Sequence, residues 1–228
     1  MRTLVISDLH LGADGRLPQA DGELCALLLK GWDQIVIAGD LFDLWVATID
    51  DIFAKHRGVL AALDGATCRK YYLPGNHDAE FVGLAQLNSF EVVRAPFEFR
   101  SGDKSIGITH GNELLSLDSK IIRIGAWFGN VVDWLAQKIA GPGVSVQRRI
   151  RYSLAEMGVV RNKFVDEVAE KAVVEIGTDV VIVGHTHIPD GPRELGGRLY
   201  VNCGDWGPEH LTYVIIEDGK VTLEGAGQ

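Results

Sequence analysis

Cysteine is scarce in this chain: 228 residues hold three, Cys25, Cys68 and Cys203, with no CxxC pair among them. Thiols so few and so far apart build neither a disulfide framework nor a thiolate zinc site, and they suit a reducing compartment. Positive charge is also in short supply, with 22 Lys and Arg against 31 Asp and Glu and a net charge of −9. That balance repels a phosphate backbone, so a nucleic-acid partner is not expected. Long apolar runs are missing as well. The run that starts at Thr3 stops at Asp8, too soon for the hydrophobic region of a signal peptide, and the stretch 121–140 is broken by Arg123, Asp133 and Lys138. Neither export nor a membrane span is expected, and the location read from this is cytoplasmic. No repeat, low-complexity tract or long linker divides the chain, which reads as one domain over 1–228. GxSxG and GxxxxGK[ST] are both absent and no cysteine adjoins a histidine. Those absences remove a Ser or Cys nucleophile and a nucleotide-binding P-loop from consideration.

What is present is a series of short apolar runs, at 3–7, 34–38, 70–73, 104–109, 179–183, 198–201 and 212–216, rich in β-branched residues. They read as strands. Segments of helical spacing at 24–30, 52–63 and 164–176 lie between several of them, which predicts a layered α/β or α+β core. Near-continuous runs such as Val180-Val181-Ile182-Val183 predict strands buried on both faces.

Each of five strands is followed by polar, metal-capable residues: Asp8-Leu9-His10, Gly39-Asp40-Leu41-Phe42-Asp43, Gly75-Asn76-His77-Asp78, His110-Gly111 and Gly184-His185-Thr186-His187. The carboxyl ends of strands in such a sheet open on a common edge where ligands bind, so residues far apart in sequence converge there. Five of the seven histidines fall in these junctions; His56, in a helical segment, reads as a surface side chain, and His210 also lies outside. A single DxH is more often a turn or a cap. Five strand ends acquiring carboxylates and imidazoles together are costly unless a cation gathers them.

The donors are carboxylate, imidazole and one side-chain amide, without thiolate, a set that suits Mn, Fe, Co or Zn in a reactive site. Asp8, His10, Asp40, Asn76, His110, His185 and His187 are too many for one ion. Two ions sharing a bridging carboxylate roughly 3.5 to 4 Å apart, with a shared water of pKa lowered toward ~7, would suit attack on a phosphate ester.

The order DxH, GDxxD, GNHD, GH, GHTH, spanning residues 8 to 187, resembles that of the calcineurin-like metallophosphoesterases. The resemblance implies a four-layer sandwich of two β-sheets flanked by helices, with a dimetal centre at the strand ends, Mn²⁺ being the expected ion and Fe, Zn or Co the others. It would place Asp8, His10 and His187 on one ion and Asn76, His110 and His185 on the other, with Asp40 bridging, and would pair Asp43 with His77. A carboxylate behind an imidazole holds it oriented, so His77 could stabilise transition-state charge or protonate the leaving oxygen. For Asp43 the competing reading is a cap on the segment that follows it.

Finer features, Gly39 through Trp45, the helical insertion after His110-Gly111, and Asn202-Cys203-Gly204-Asp205-Trp206, look like the UDP-2,3-diacylglucosamine pyrophosphatases of lipid A synthesis and their close relatives. Those enzymes release UMP and an acylated sugar phosphate. Their best-known branch carries Arg where this chain has His77, and Asp where it has Asn112. A helical lid-like insertion is expected at about 114–163, with Ile121, Ile124, Trp127, Phe128 and Val131 at helical spacing and Arg148, Arg149 and Arg151 following. Acyl chains on its aromatics and phosphates on its guanidiniums would fit an amphiphilic substrate and a peripheral membrane contact. An ordinary hairpin packed on the core fits equally well. Trp45 and Trp206 read either as pocket walls or as core aromatics. With Trp45, Trp127, Arg148, Arg149 and Arg151 on the substrate side, the expected reaction is hydrolysis of a pyrophosphate or phosphodiester in a UDP-sugar-lipid. The alternative is a phosphodiesterase or phosphatase of small nucleotides. A scaffold of the same shape that binds a protein partner would be expected to show broken metal blocks, and these are intact.

Overall fold

A computed structural model describes residues 1–78, 89–114 and 159–225. Two compact units divide the chain: residues 1–111 with 169–228, and residues 112–168. In the first, strands β1 (Arg2–Ile6), β2 (Gln34–Ala38), β3 (Arg69–Leu73) and β4 (Glu91–Val92) run parallel. β10 (Thr212–Glu217) and β11 (Lys220–Gly225) extend that sheet antiparallel, giving the order β11-β10-β1-β2-β3-β4. A second sheet has β6 (Lys104–Thr109), β7 (Val180–Val183) and β9 (Arg198–Asn202) parallel, flanked by antiparallel β5 (Phe97–Ser101) and β8 (Asp190–Leu195).

Period-two alternation assigns each side chain to a layer. Val5, Val36, Ala38, Leu73, Val214 and Ile216 of the first sheet meet Ile106, Ile108, Val180, Ile182 and Val201 of the second in one buried cluster. Their neighbours Leu4, Ile6, Ile35, Ile37 and Tyr72 point the other way, onto Leu24, Leu27, Ile52, Val59 and Leu63. Those last belong to α1 (Ala20–Leu28), α2 (Ile49–Lys55) and α3 (Arg57–Gly65). The helix α4 (Val159–Ile176) ends against the second sheet, where the Ile176 side chain occupies the place a Cβ on Gly107 of β6 would need. The result is an α/β architecture of two mixed sheets flanked by helices, as the sequence predicts.

The seven predicted strands coincide with β1, β2, β3, β6, β7, β9 and β10; among the described residues the four not predicted, β4, β5, β8 and β11, are the two edges of each sheet. Edges are half solvated, so β5 reads Phe-Glu-Phe-Arg-Ser and β8 carries Gly191-Pro192 in place of an apolar run. The helix expected over 52–63 is two, broken at His56, and His56 is buried at 4% exposure rather than a surface residue. Its Nδ1 lies 2.6 Å from Asp21 Oδ2 and its Nε2 accepts the Gly12 amide at 3.3 Å, partners that repay the burial of a polar ring. Most of the segment 114–163, with Trp127, Arg148, Arg149 and Arg151, lies outside the described residues. No helix among the described residues is long and apolar enough to cross a membrane.

Candidate metal centre

Six of the parallel strands, three from each sheet, carry part of the site at their carboxyl ends. β1 leads to Asp8 and His10, β2 to Asp40 and Asp43, β3 to Asn76 and His77, β6 to His110, β7 to His185 and His187, and β9 to Asp205. The loops are laced together by backbone hydrogen bonds: His10 N donates to Asp40 O (2.9 Å), Asp43 N to Leu11 O (2.9 Å), Gly184 N to His110 O (3.1 Å) and Trp206 N to Asp8 O (3.2 Å). Hydrogen bonds of this kind preorganise the loops that carry the site.

The two central carboxylates are each half engaged by the backbone. Asp8 Oδ2 accepts from His185 N at 2.9 Å and from the Ser7 hydroxyl, and Asp40 Oδ1 accepts from His77 N at 2.8 Å. Their other oxygens face imidazoles. Asp8 Oδ1 lies 3.2 Å from His187 Nε2 and 3.7 Å from His10 Nε2, while Asp40 Oδ2 lies 3.3 Å from His110 Nε2 and 3.6 Å from His10 Nε2. The Asn76 amide oxygen is 3.2 Å from His110 Nε2. Asp40 therefore stands between a group formed with Asp8, His10 and His187 and a second pairing with His110 and Asn76. The His185 ring meets that of His110 edge-on at 5.1 Å between centroids.

In three of these histidines an acceptor sits behind the ring, at Nδ1. Ala38 O is 2.9 Å from His110 Nδ1, Asp43 Oδ2 is 3.5 Å from His10 Nδ1, and Asp205 Oδ2 is 3.5 Å from His187 Nδ1. The Ala38 carbonyl places the His110 ring proton on Nδ1 and leaves its Nε2 lone pair for a cation, and the carboxylates of Asp43 and Asp205, at ion-pair distance, favour the same arrangement in His10 and His187. Asp205 was not singled out as a site residue from the sequence, although it follows β9 at the same edge as the other blocks. Asp205→Asn is expected to weaken divalent-metal affinity about 10- to 100-fold, measured by competition with a chromophoric chelator. An unchanged affinity would show that Asp205 does not support His187.

The backbone accommodates the cluster at some cost. Five of the six non-glycine residues with positive φ among those described are Asp8, His10, Asp40, His185 and His187. Left-handed conformations are strained for such residues and persist where surrounding structure over-determines them, often at functional sites. Two motif glycines are set by close approach: a Cβ on Gly75 would collide with the Asp40 carboxylate, and one on Gly184 with Ser7 and Asp8.

Charge follows from this crowding. Burial opposes the charged form of His10, but Asp43 and Asp8 outweigh it and lift the pKa to about 9. Burial is likewise overcome in His187 by Asp8 and Asp205, and in His110 by Asp40 and Asp8, each reaching about 10. Burial and the neighbouring His110 push His185 down to about 3. Asp8, Asp40 and Asp43 are held below the usual carboxylate range because the imidazoles overcome burial. Without metal, protons occupy three of the nitrogens a metal needs, and ligation must expel them. Metal affinity is therefore expected to rise with pH up to about 9 to 10. Calorimetry at pH 7 in buffers of differing ionisation enthalpy checks it, with net proton release expected and none contradicting these shifts.

The donor set fits a divalent ion. Asp8 Oδ1 is buried without a hydrogen-bond partner, and the Nε2 atoms of His10 and His187 approach to 3.2 Å. Two like-polarised nitrogens and a bare carboxylate oxygen at such distances call for a shared cation. Asp8, His10, Asp40 and His187 each offer an atom within 4.8 Å of one another, as do His10, Asp43 and His77. Asp43 does not act as a helix cap; its Oδ1 lies 2.8 Å from His77 Nδ1. Trp45 stacks on His77, and Trp206 is fully buried with its indole N–H donated to Thr212 O, so it is a core aromatic and not a pocket wall. Asp78 was passed over as a site residue in the sequence; it accepts from Gly75 N (2.8 Å) and Phe42 N (3.2 Å), tying the third block to the second.

Comparison with known proteins agrees with this geometry. Residues 1–189 match the calcineurin-like phosphoesterase family. The chain is 29% identical over 237 residues to the UDP-2,3-diacylglucosamine hydrolase of Shewanella pealeana, covering 98% of each chain. It is 28% identical to that of Ralstonia nicotianae, covering 96% of this chain and 90% of the relative. Among solved structures, Yfce, a phosphoesterase from E. coli, matches over 100% of both chains at 17% identity with a TM-score of 0.51, a likeness of fold.

Proposed function

Because this chain belongs to the calcineurin-like phosphoesterase family and is a metal-dependent phosphoester hydrolase, we propose that it cleaves the pyrophosphate of a UDP-sugar-lipid such as UDP-2,3-diacylglucosamine. What supports this substrate is that the match to the hydrolases of that name covers 98% of both chains and so runs through 114–163 as well as the metal blocks. Their name gives the substrate class, and Trp127, Arg148, Arg149 and Arg151 are the residues we propose to bind it.

The family carries a dinuclear divalent centre. We assign Asp8, His10 and His187 to one ion, Asn76, His110 and His185 to the other, and Asp40 to both. When bound, the ions supply Lewis acidity that neutralises phosphoryl charge and makes water a nucleophile near neutral pH. The chain's own residues do the rest. Ala38 O holds the His110 imidazole by its Nδ1, and the Asp43 and Asp205 carboxylates stand 3.5 Å from Nδ1 of His10 and His187. Asp43 accepts from His77 Nδ1–H, so in its imidazolium form the ring would present Nε2–H to the phosphoryl group, or pass that proton to the departing oxygen as the new O–P bond forms and the old one breaks, keeping its other proton on Nδ1.

The test is turnover by the Mn²⁺-reconstituted chain on UDP-2,3-diacylglucosamine, beside bis-p-nitrophenyl phosphate and a nucleotide panel, with products identified by mass. UMP and an acylated sugar phosphate are expected. Hydrolysis of the generic diester and nucleotides alone would assign a soluble phosphoester, the reading that His77 in place of the branch's Arg favours.

A further inference from the structure

Trp45 lies two residues beyond Asp43 in a turn closed by Val46 N to Asp43 O (3.3 Å) and Ala47 N to Asp43 O (3.2 Å). The turn is anchored at Asp43 N to Leu11 O (2.9 Å) and, through Phe42 N, to Asp78 Oδ2 (3.2 Å). From it the indole lies flat on the His77 imidazole, with ring centroids 3.8 Å apart and planes 24° from parallel. On the same imidazole Asp43 Oδ1 holds Nδ1 at 2.8 Å, and the His10 ring makes a T-shaped contact at 4.6 Å and 87°.

A single hydrogen bond does not fix an imidazole. The ring torsion of histidine is broad, so a ring tethered only at Nδ1 swings about that bond and carries Nε2 with it. A planar partner against one face stops that swing, and stacked aromatic geometry is favourable in itself. We propose that Trp45 is a positioning residue for His77, clamping the imidazole face so that Nε2 keeps one direction while Asp43 holds Nδ1. This rests on the role given to His77 above. It differs from a substrate-wall role for Trp45, in which the indole would touch the ligand and leave His77 unaffected.

The test uses Trp45→Leu and Trp45→Phe, each alone and in the His77→Ala background, in the metal-loaded full chain with bis-p-nitrophenyl phosphate. Trp45→Leu is expected to lower kcat roughly 10- to 100-fold with KM little changed, the penalty of a mispositioned group. Trp45→Phe restores most of that loss. In His77→Ala the Trp45→Leu change has no further effect, because a residue acting only through His77 has nothing left to position. In the Zn²⁺-loaded protein, the carbon-bound ring protons of His77, identified by their loss in His77→Ala, resonate upfield and move downfield in Trp45→Leu. A rise in KM alone, or the same loss of kcat in both backgrounds, overturns the clamp. Should His77→Ala itself leave kcat unchanged, the role of His77 falls and with it the kinetic effect of the clamp. The ring-proton shift then separately decides whether the stack exists.

Discussion

Replacing His77 with alanine is expected to lower turnover roughly 10²- to 10⁴-fold while leaving the metal content intact, the span associated with losing a proton-transfer group. His77 is 7% exposed and paired with Asp43 at 2.8 Å, and it is absent from the group in which Asp8, His10, Asp40 and His187 converge. Its backbone amide, which alanine keeps, is what binds Asp40 Oδ1. Removing the ring should therefore spare the ligand cluster and strike the chemistry. Steady-state kinetics beside metal analysis of the same preparation check both halves; lost metal, or a kcat within a few-fold of the parent, contradicts the role.

For Asp40→Ala the order of loss is reversed, and metal goes first. Asp40 Oδ2 is 3.6 Å from His10 Nε2 and 3.3 Å from His110 Nε2, and Oδ1 fixes the amide of the Asn76-His77 turn. Alanine removes the oxygen that both Nε2 atoms approach and leaves the two buried imidazoles without that carboxylate. The drop in affinity should exceed the ~100-fold that follows loss of an outer partner, and activity should follow it to background. Wild-type metal retention in the variant contradicts the bridging assignment. Asp40→Asn separates charge from shape, since it keeps an acceptor oxygen and loses the negative charge that overcomes burial in raising the pKa of His110.

Much of this architecture was legible because burial and chemistry leave different marks on sequence. Central strands are covered on both faces and read as apolar runs, so β1, β2, β6 and β7 stand out. Edge strands such as β5 and β11 face water on one side, and their mixed composition hid them. The metal blocks could be seen because each is local to a strand end. What acts through space between blocks could not. His56 reads as a helix-face residue until Asp21, 35 positions away, is found beside it. Asp205 shows its use only once His187 is placed 3.5 Å away. Trp45 looks like a wall or a core residue until its ring is seen on His77.

The most direct test of the account is an anomalous-scattering crystal structure of the Mn²⁺-loaded chain. Two peaks are expected about 3.5 to 4 Å apart. One should be bounded by Asp8, His10 and His187 and the other by Asn76, His110 and His185, with Asp40 reaching both. A single peak, or a pair that does not share Asp40, would contradict it.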